Sequence, residues 1–304
     1  MIRYQTCILG AIITLFAIIS TSCRSAKYLD EDQALVKDID VVGVSANLRE
    51  PASAYISNEI RPNSPLYLSI YNFFNTKNGR YKEEGIKNVG EAPHLLDSAM
   101  VDLSANQMER FLKTYGYFDA DVNPDVKSRK KKAWIDFRVD TGARYQISEI
   151  DRKFADSRVE EIHRNEVLPH TRVPVGQPYQ ERQLFDERER LYVAMKNAGY
   201  YEYLRQYMRV GVDTIGRNKH TKLLVNVANP DSSQHQIFDI NNVYLHIRKP
   251  GTSTSDTEPS RYSESLNMYF QDETGNYRLR PLARYTFLKK GMHYSLKQEE
   301  QSYY

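Results

Sequence analysis

Residues able to do chemistry are few and scattered in this 304-residue chain. Histidines stand at 94, 163, 170, 220, 235, 246 and 293, without the spacing that gathers ligands around one metal. His163 and His170 could share a face only along a helix, and Pro169 breaks it. Glu160-Glu161 and Glu299-Glu300 are sequence neighbours, so on a helix they point apart and form no carboxylate dyad. There is no H-E-x-x-H, no G-x-S-x-G and no phosphate-cradling glycine loop. The sequence therefore implies no enzyme, no catalytic residue, no metal and no cofactor.

One residue does carry chemistry. Arg3 precedes an apolar run, Ile8 to Ile19, and the small residues Ser20, Thr21 and Ser22 lead to Cys23. The run is short for a membrane span and reads as a secretory signal peptide over 1–22. A cysteine straight after the cleavage point is the lipidation site of a lipoprotein, although Ser20 stands where such signals usually carry Leu. Residues 23–35 then read as the tether of that anchor. Cys7 leaves with the leader, so Cys23 is left without a disulfide partner. Loss of Arg3 lowers a net charge that is only +3 at the start, so charge gives no case for nucleic acid.

The elements that must position any binding surface show a repeat. Lys113-Thr114-Tyr115-Gly116-Tyr117-Phe118 returns as Lys196-Asn197-Ala198-Gly199-Tyr200-Tyr201. Each copy closes a charged, helix-patterned run, with the glycine at the position just past the helix where positive φ is needed. Each is followed by an alternating polar and apolar stretch, so the pattern is two copies of one small domain.

In the first copy, 36–142, the sequence predicts a strand over Val36–Val44 and a short helix over Pro51–Ile60 with Pro51 at its first position. Leu66–Phe74, the most aromatic patch, opens an insertion over 66–97. It reads as a strand or hairpin over the core, with an exposed patch for a membrane or partner as the sharper reading. A helix over Ser98–Tyr115 buries Met100, Leu103, Met108, Phe111 and Leu112. Strands Ala120–Lys127 and Ala133–Val139 follow, and the basic run Ser128–Lys132 reads as a solvated tip.

The second copy, 143–230, runs through strand Tyr145–Ile150, helix Ser157–Glu166 with Ser157 as N-cap, and helix Glu181–Ala198 burying Leu184, Leu191, Val193 and Met195. Strands Tyr203–Val212 and His220–Ala228 close it. In 235–304 the sequence predicts a strand over Ile237–Ile247, a further strand over Tyr262–Phe270 and a short helix over Pro281–Leu288. There Gly291-Met292-His293-Tyr294 echoes Gly176-Gln177-Pro178-Tyr179, so this part reads as a third copy cut short. The fold class expected is α+β, tandem β-α-α-β-β units without a β-barrel.

Strand, helix, helix, strand, strand with a Gly-aromatic pair after the second helix resembles the POTRA domain of the BamA/TamA family of outer-membrane assembly proteins. Cys23 followed by Ser25-Ala26-Lys27-Tyr28-Leu29, the Pro62–Pro65 segment, the aromatic insertion and Gly90-Glu91-Ala92-Pro93 resemble the lipoprotein form of that family, the TamL type. In the family about three such units precede a transmembrane β-barrel; here two are complete, a third is partial and no barrel is present.

The resemblance implies binding rather than catalysis. It implies a protein lipid-anchored to the outer membrane with its domains in the periplasm, meeting outer-membrane protein clients and an inner-membrane partner that spans the periplasm. Extended client segments would add to an exposed sheet edge by β-augmentation. The edge candidates are the strands after each Gly-aromatic pair: Ala120, Val122 and Val126 in one, Tyr203, Arg205 and Tyr207 in the other. Gly116, Tyr117, Gly199 and Tyr200 hold the repeat. The alternative is a free-standing structural or ligand-binding lipoprotein without a barrel.

Overall fold

The computed structural model describes residues 26–303 except 83, 84, 87, 216, 217, 232 and 252–260. The expected leader and Cys23 lie outside the described residues. The chain divides into two compact units between Arg144 and Tyr145, and among the described residues no helix is long and apolar enough to cross a membrane.

The first unit begins with β1 (Leu35–Val42) and α1 (Ala46–Ser53). Pro51, expected at a helix start, lies instead inside α1. Leu48 and Ala52, one turn apart, are the residues of this helix that reach the core, and they set its start at Ala46. Leu66–Phe74, expected as a strand or hairpin, is the helix α2 (Pro65–Asn75). Pro65 opens it where no N–H is required. Its inward row, Leu68, Asn72 and Asn75, contains two asparagines and so hid the helical period.

Those asparagines are satisfied locally, as buried amides must be. Asn72 Oδ1 accepts from the Tyr81 hydroxyl at 2.8 Å, and Asn75 exchanges hydrogen bonds with the Ile86 backbone. Asn72 thereby ties α2 to the small hairpin of β2 (Thr76–Lys77) and β3 (Arg80–Tyr81), and Asn75 ties it to Ile86 beyond. Ala26 and Leu29, expected in a free tether, are buried with Leu35 and Leu68.

The helix α3 (Ser98–Thr114) is capped by Asp97, whose carboxylate accepts from Ala99 N and Met100 N. Val101, Ala105, Met108, Phe111 and Leu112 face the core, while Leu103, expected inside, is exposed. The helix stops at Gly116, φ 89°. There Tyr117 N donates to Leu112 O at 3.2 Å and Gly116 N to Lys113 O at 3.0 Å, closing the free carbonyls of the last turn. Then come β4 (Asp121–Arg129) and β5 (Lys132–Asp140). The sheet order is β1–β5–β4, with β1 parallel to β5 and β4 antiparallel to it. Part of the basic tip is structural rather than solvated: Lys131 Nζ donates to Leu29 O at 3.0 Å and to Glu31 at 2.9 Å.

The second unit repeats the plan with β6 (Gln146–Phe154), α4 (Ser157–Ile162), a π turn over His163–Val167 and α5 (Glu181–Asn197). The strands β7 (Met208–Ile215) and β8 (His220–Val227) complete the sheet, in the order β6–β8–β7. Even the register irregularity recurs, between Val36 and Asp38 in β1 and between Ile147 and Glu149 in β6. Asp156 caps α4 in place of Ser157, because its carboxylate reaches Arg158 N at 2.9 Å. Val193 is exposed, and Glu187 takes an inward position beside Leu184, Leu191 and Met195. Gly199, φ 98°, ends α5 as Gly116 ends α3, with Tyr200 N on Met195 O at 3.1 Å and Gly199 N on Lys196 O at 3.4 Å.

Within the same compact unit follow β9 (Tyr244–Ile247), β10 (Arg261–Ser263) and β11 (Met268–Asp272), ordered β10–β11–β9, then α6 (Leu279–Ala283) and α7 (Leu296–Tyr303). Only Tyr244–Ile247 of the strand expected over Ile237–Ile247 is formed. Phe238–Ile240 pairs instead with Met292–Tyr294, through Ile240 N to Met292 O at 2.8 Å and Tyr294 N to Phe238 O at 2.9 Å. The same pair of bonds precedes α3 (Val36 N to His94 O, 3.0 Å; Leu96 N to Ala34 O, 2.7 Å) and α5 (Ile147 N to Gln177 O and Tyr179 N to Tyr145 O, both 2.9 Å). The echoed tetrapeptides therefore do the same job, clipping the approach to a helix onto a preceding extended segment. The described residues are α+β, built from small sheets with no closed barrel.

Candidate functional site: a sheet edge and its groove

In the sheets β1–β5–β4 and β6–β8–β7 the strand after the Gly-aromatic pair lies at an edge, β4 in one and β7 in the other. Along an antiparallel strand, backbone N–H groups alternate between the partner strand and the outside. In β4, Val122 N donates to Glu109 Oε1 at 3.2 Å, so the amide of Val122 faces outward. Alternation then turns positions 124, 126 and 128 outward as well. Pro124 has no N–H to offer, and Glu109 of α3 already occupies Val122. Two consecutive outward positions of β4 are therefore closed.

Charge adds to this protection: Asp125 pairs with Arg138 at 2.5 Å, and Lys127 lies 3.4 Å from Asp136. Proline and charge are the ordinary devices that keep an edge from pairing.

In β7 the register is fixed by Ala228 N, which donates to Tyr207 O at 3.0 Å. Tyr207 thus faces β8, and alternation turns Met208, Val210, Val212 and Thr214 outward. The Met208 amide closes the preceding turn on Arg205 O. Val210, Val212 and Thr214 follow as an unbroken run of outward donors, with Gly211 and no proline between them.

A groove lies beside this edge, between β7 and α5, lined by Leu184, Phe185, Arg188, Met208, Val210 and Val212, with Tyr179 and Glu181 at one end. Met208, Val210 and Val212 are alternate residues and so share one face. Their exposure grows along the strand from buried Met208 to Val212 at 37%. The Arg188 guanidinium sits 4.7 Å over the Phe185 ring, placing a cation at the rim of an apolar trough. Burial, with Glu181 adding to it, pushes the Tyr179 hydroxyl up to about 12, so it stays a neutral donor.

The residues expected at the edges fall as follows. Ala120 and Val122 are buried, and Val126, at 40% exposure, is the one of the three that presents its side chain outward. Tyr203, Arg205 and Tyr207 precede β7 rather than forming it. Tyr203 is turned into the core, where burial raises its pKa further than that of Tyr179, and Arg205–Tyr207 is a 3₁₀ turn. Arg205 is held by Glu189 at 2.5 and 2.6 Å and lies 3.5 Å over the Tyr192 ring. Gly116, Tyr117, Gly199 and Tyr200 form the two helix stops already described. Phe185 and Arg188 were not anticipated, since only the fold brings α5 alongside β7; the exposed aromatic in a charged helix was their one signal. Among the described residues no cluster of His, Cys, Asp and Glu could hold a metal ion.

No family model and no curated protein matches this sequence. Among solved structures it is similar to POTRA3-5 of BamA from Haemophilus influenzae, at 11% identity and TM-score 0.37 over 89% of this chain and 83% of that one. It is also similar to POTRA1-3 of Omp85 from Anabaena, at 12% identity and TM-score 0.33 over 90% and 84%. A third is the N-terminal domain of Omp85 from Thermosynechococcus elongatus, at 15% and TM-score 0.32 over 90% and 85%.

Proposed function

We propose that this chain is a POTRA-type region of an outer-membrane protein assembly or translocation factor, of the lipid-anchored TamL type, and that it takes up extended client segments by β-augmentation on β7. In this reading Cys23 carries the lipid, the units face the periplasm, and an inner-membrane partner that spans the periplasm is a further contact. Two copies of one β-α-α-β-β unit with the same mixed sheet support the domain type. The observation that carries the binding role is the run of outward amides at Val210, Val212 and Thr214 beside the apolar groove.

An added strand would bond to these amides and drop alternate side chains between β7 and α5, so backbone supplies affinity and the groove supplies a preference for apolar residues. Val210→Pro tests this, because it places proline where the first unit already has Pro124 and removes an outward donor without touching the bonds to β8. Crosslinking of an unfolded outer-membrane β-barrel polypeptide to a photoreactive residue at position 214 is expected to fall about tenfold, the effect of a lost main-chain bond and a displaced neighbour. Undiminished crosslinking with the fold retained would refute the edge as the site.

A further inference from the structure

The helix α2 turns more apolar surface outward than inward, its buried row being Leu68, Asn72 and Asn75. Leu68 faces the cluster of Ala26, Leu29 and Leu35, while the opposite face carries Leu66, Tyr67, Ile70, Phe73 and Phe74. Leu66 is 65% exposed and Phe73 80%. An exposed apolar face of this kind marks a contact surface. Hydrogen bonds between residues 63–64 and 91–94 hold the start of the helix. Asn63 Nδ2 donates to Ala92 O at 2.7 Å while its Oδ1 accepts from His94 N at 2.7 Å, and Glu91 Oε2 accepts from Ser64 N at 3.2 Å. Gly90 passes so close to the helix that a Cβ there would lie 2.4 Å from Tyr71 N. The exposed face is therefore held in place.

We infer that α2 is a membrane-contact helix, its exposed aromatic face seated in the lipid surface to which the N-terminus is attached. Three observations favour lipid over protein. The charged side chains next after the helix are Lys77 and Arg80, with Lys82 bonded to Phe74 O ahead of Glu83 and Glu84, which places basic groups nearest the helix, as at the rim of an interfacial helix that meets anionic headgroups. Ala26 and Leu29 pack in one cluster with Leu68 of α2, and the rings of Tyr28 and Tyr71 both lie 6.0 Å from Tyr81. The membrane-directed sequence ends at Cys23, three residues before Ala26, a span of at most ~11 Å of extended chain. A helix about 10 Å across that is tied to Ala26 cannot be far from the bilayer to which Cys23 is fixed. The inference rests on the lipid-anchor reading above and adds a second attachment to it.

The test uses the full chain reconstituted through its own N-terminus into vesicles of phosphatidylethanolamine and phosphatidylglycerol, with an environment-sensitive fluorophore on Phe73→Cys. Val175→Cys in the second unit is the control, and the unsubstituted chain gives the labelling background. The inference expects blue-shifted, several-fold brighter emission at position 73, quenched by nitroxide on the acyl chains, and water-like emission at 175. A chain that floats with the vesicles while the probe at 73 stays in water overturns the inference and leaves the anchor standing. Disulfide dimers through position 73 overturn it in favour of a second copy. A chain that does not float, with an unmodified Cys23 by mass spectrometry, overturns the anchor and this inference together.

Discussion

The two β-α-α-β-β units share a sheet order, a strand irregularity and a helix stop, yet they differ where a partner would meet them. The edge β4 is closed by Glu109 and Pro124, whereas β7 keeps Val210, Val212 and Thr214 in a row beside a groove. The closed unit carries the exposed helix α2, and the open unit carries buried ionisable groups. In a duplicated unit the hydrogen-bonded frame repeats, while the edge and the connections between helices are free to take different work.

The largest effects separate the two helix stops. Gly199→Val forces a β-branched residue to φ 98° and brings its Cβ to 2.7 Å from Ile237 Cγ2. It should destabilise the second unit by about 3 kcal/mol. Gly116→Val meets the positive φ at its own position and should cost about 2 kcal/mol. The single tryptophan, Trp134, lies in β5 and reports the first unit by fluorescence, while hydrogen exchange in α5 reports the second. Equal melting of both variants and the parent would remove the helix-stop assignment.

Acid should open the second unit before the first. Burial holds His163 and His235 below the ordinary value of 6.5, against the opposing pull of Glu187 on one and of the Ala228 carbonyl and Asp156 on the other. Arg152 reinforces the shift at His163, and Arg158 that at His235. Both are neutral in the fold and take up protons more readily when unfolded. Their contribution is complete above pH 6.5 and drains as pH falls below it, by up to ~1.4 kcal/mol per pH unit for each histidine. Protection factors in β8, exchange rates corrected for the intrinsic slowing, should fall between pH 7 and 5, and His163→Gln should remove its share.

The helix caps differ by less. Asp156 caps α4, is buried, and binds Arg158 at 2.9 Å, which in turn donates to His235 O at 3.0 Å. Its carboxyl is held below the ordinary value chiefly by Arg158. Asp156→Ala should therefore cost about 2 kcal/mol and Asp97→Ala about 1. The reverse order in denaturant titrations would mean that the Arg158 tie is idle. Smallest in stability terms is the conversion of the closed edge: Pro124→Val with Glu109→Ala, which removes the acceptor on Val122 N, should leave melting nearly unchanged while β4 gains crosslinking to an extended client.

The sequence made the helix stops legible because a glycine and the aromatics after it are a local signal. It made the edge strands legible because the hairpins alternate. Leu66–Phe74 was misread because a run rich in aromatics favours a strand locally, whereas Pro65 and the inward row Leu68, Asn72 and Asn75 decide for a helix. Tyr203 reads as a strand residue until the core claims its ring and delays β7 to Met208. The groove joins Phe185 and Arg188 to Val210 and Val212, and no pattern in sequence pairs residues that only tertiary packing brings together.

The most direct measurement is residue-resolved amide exchange of the full chain with and without an extended peptide from an outer-membrane β-barrel protein. The account predicts new protection at Val210, Val212 and Thr214 and none at Val126 and Ser128. Protection on β4 instead, or on neither edge at saturating peptide, would contradict it.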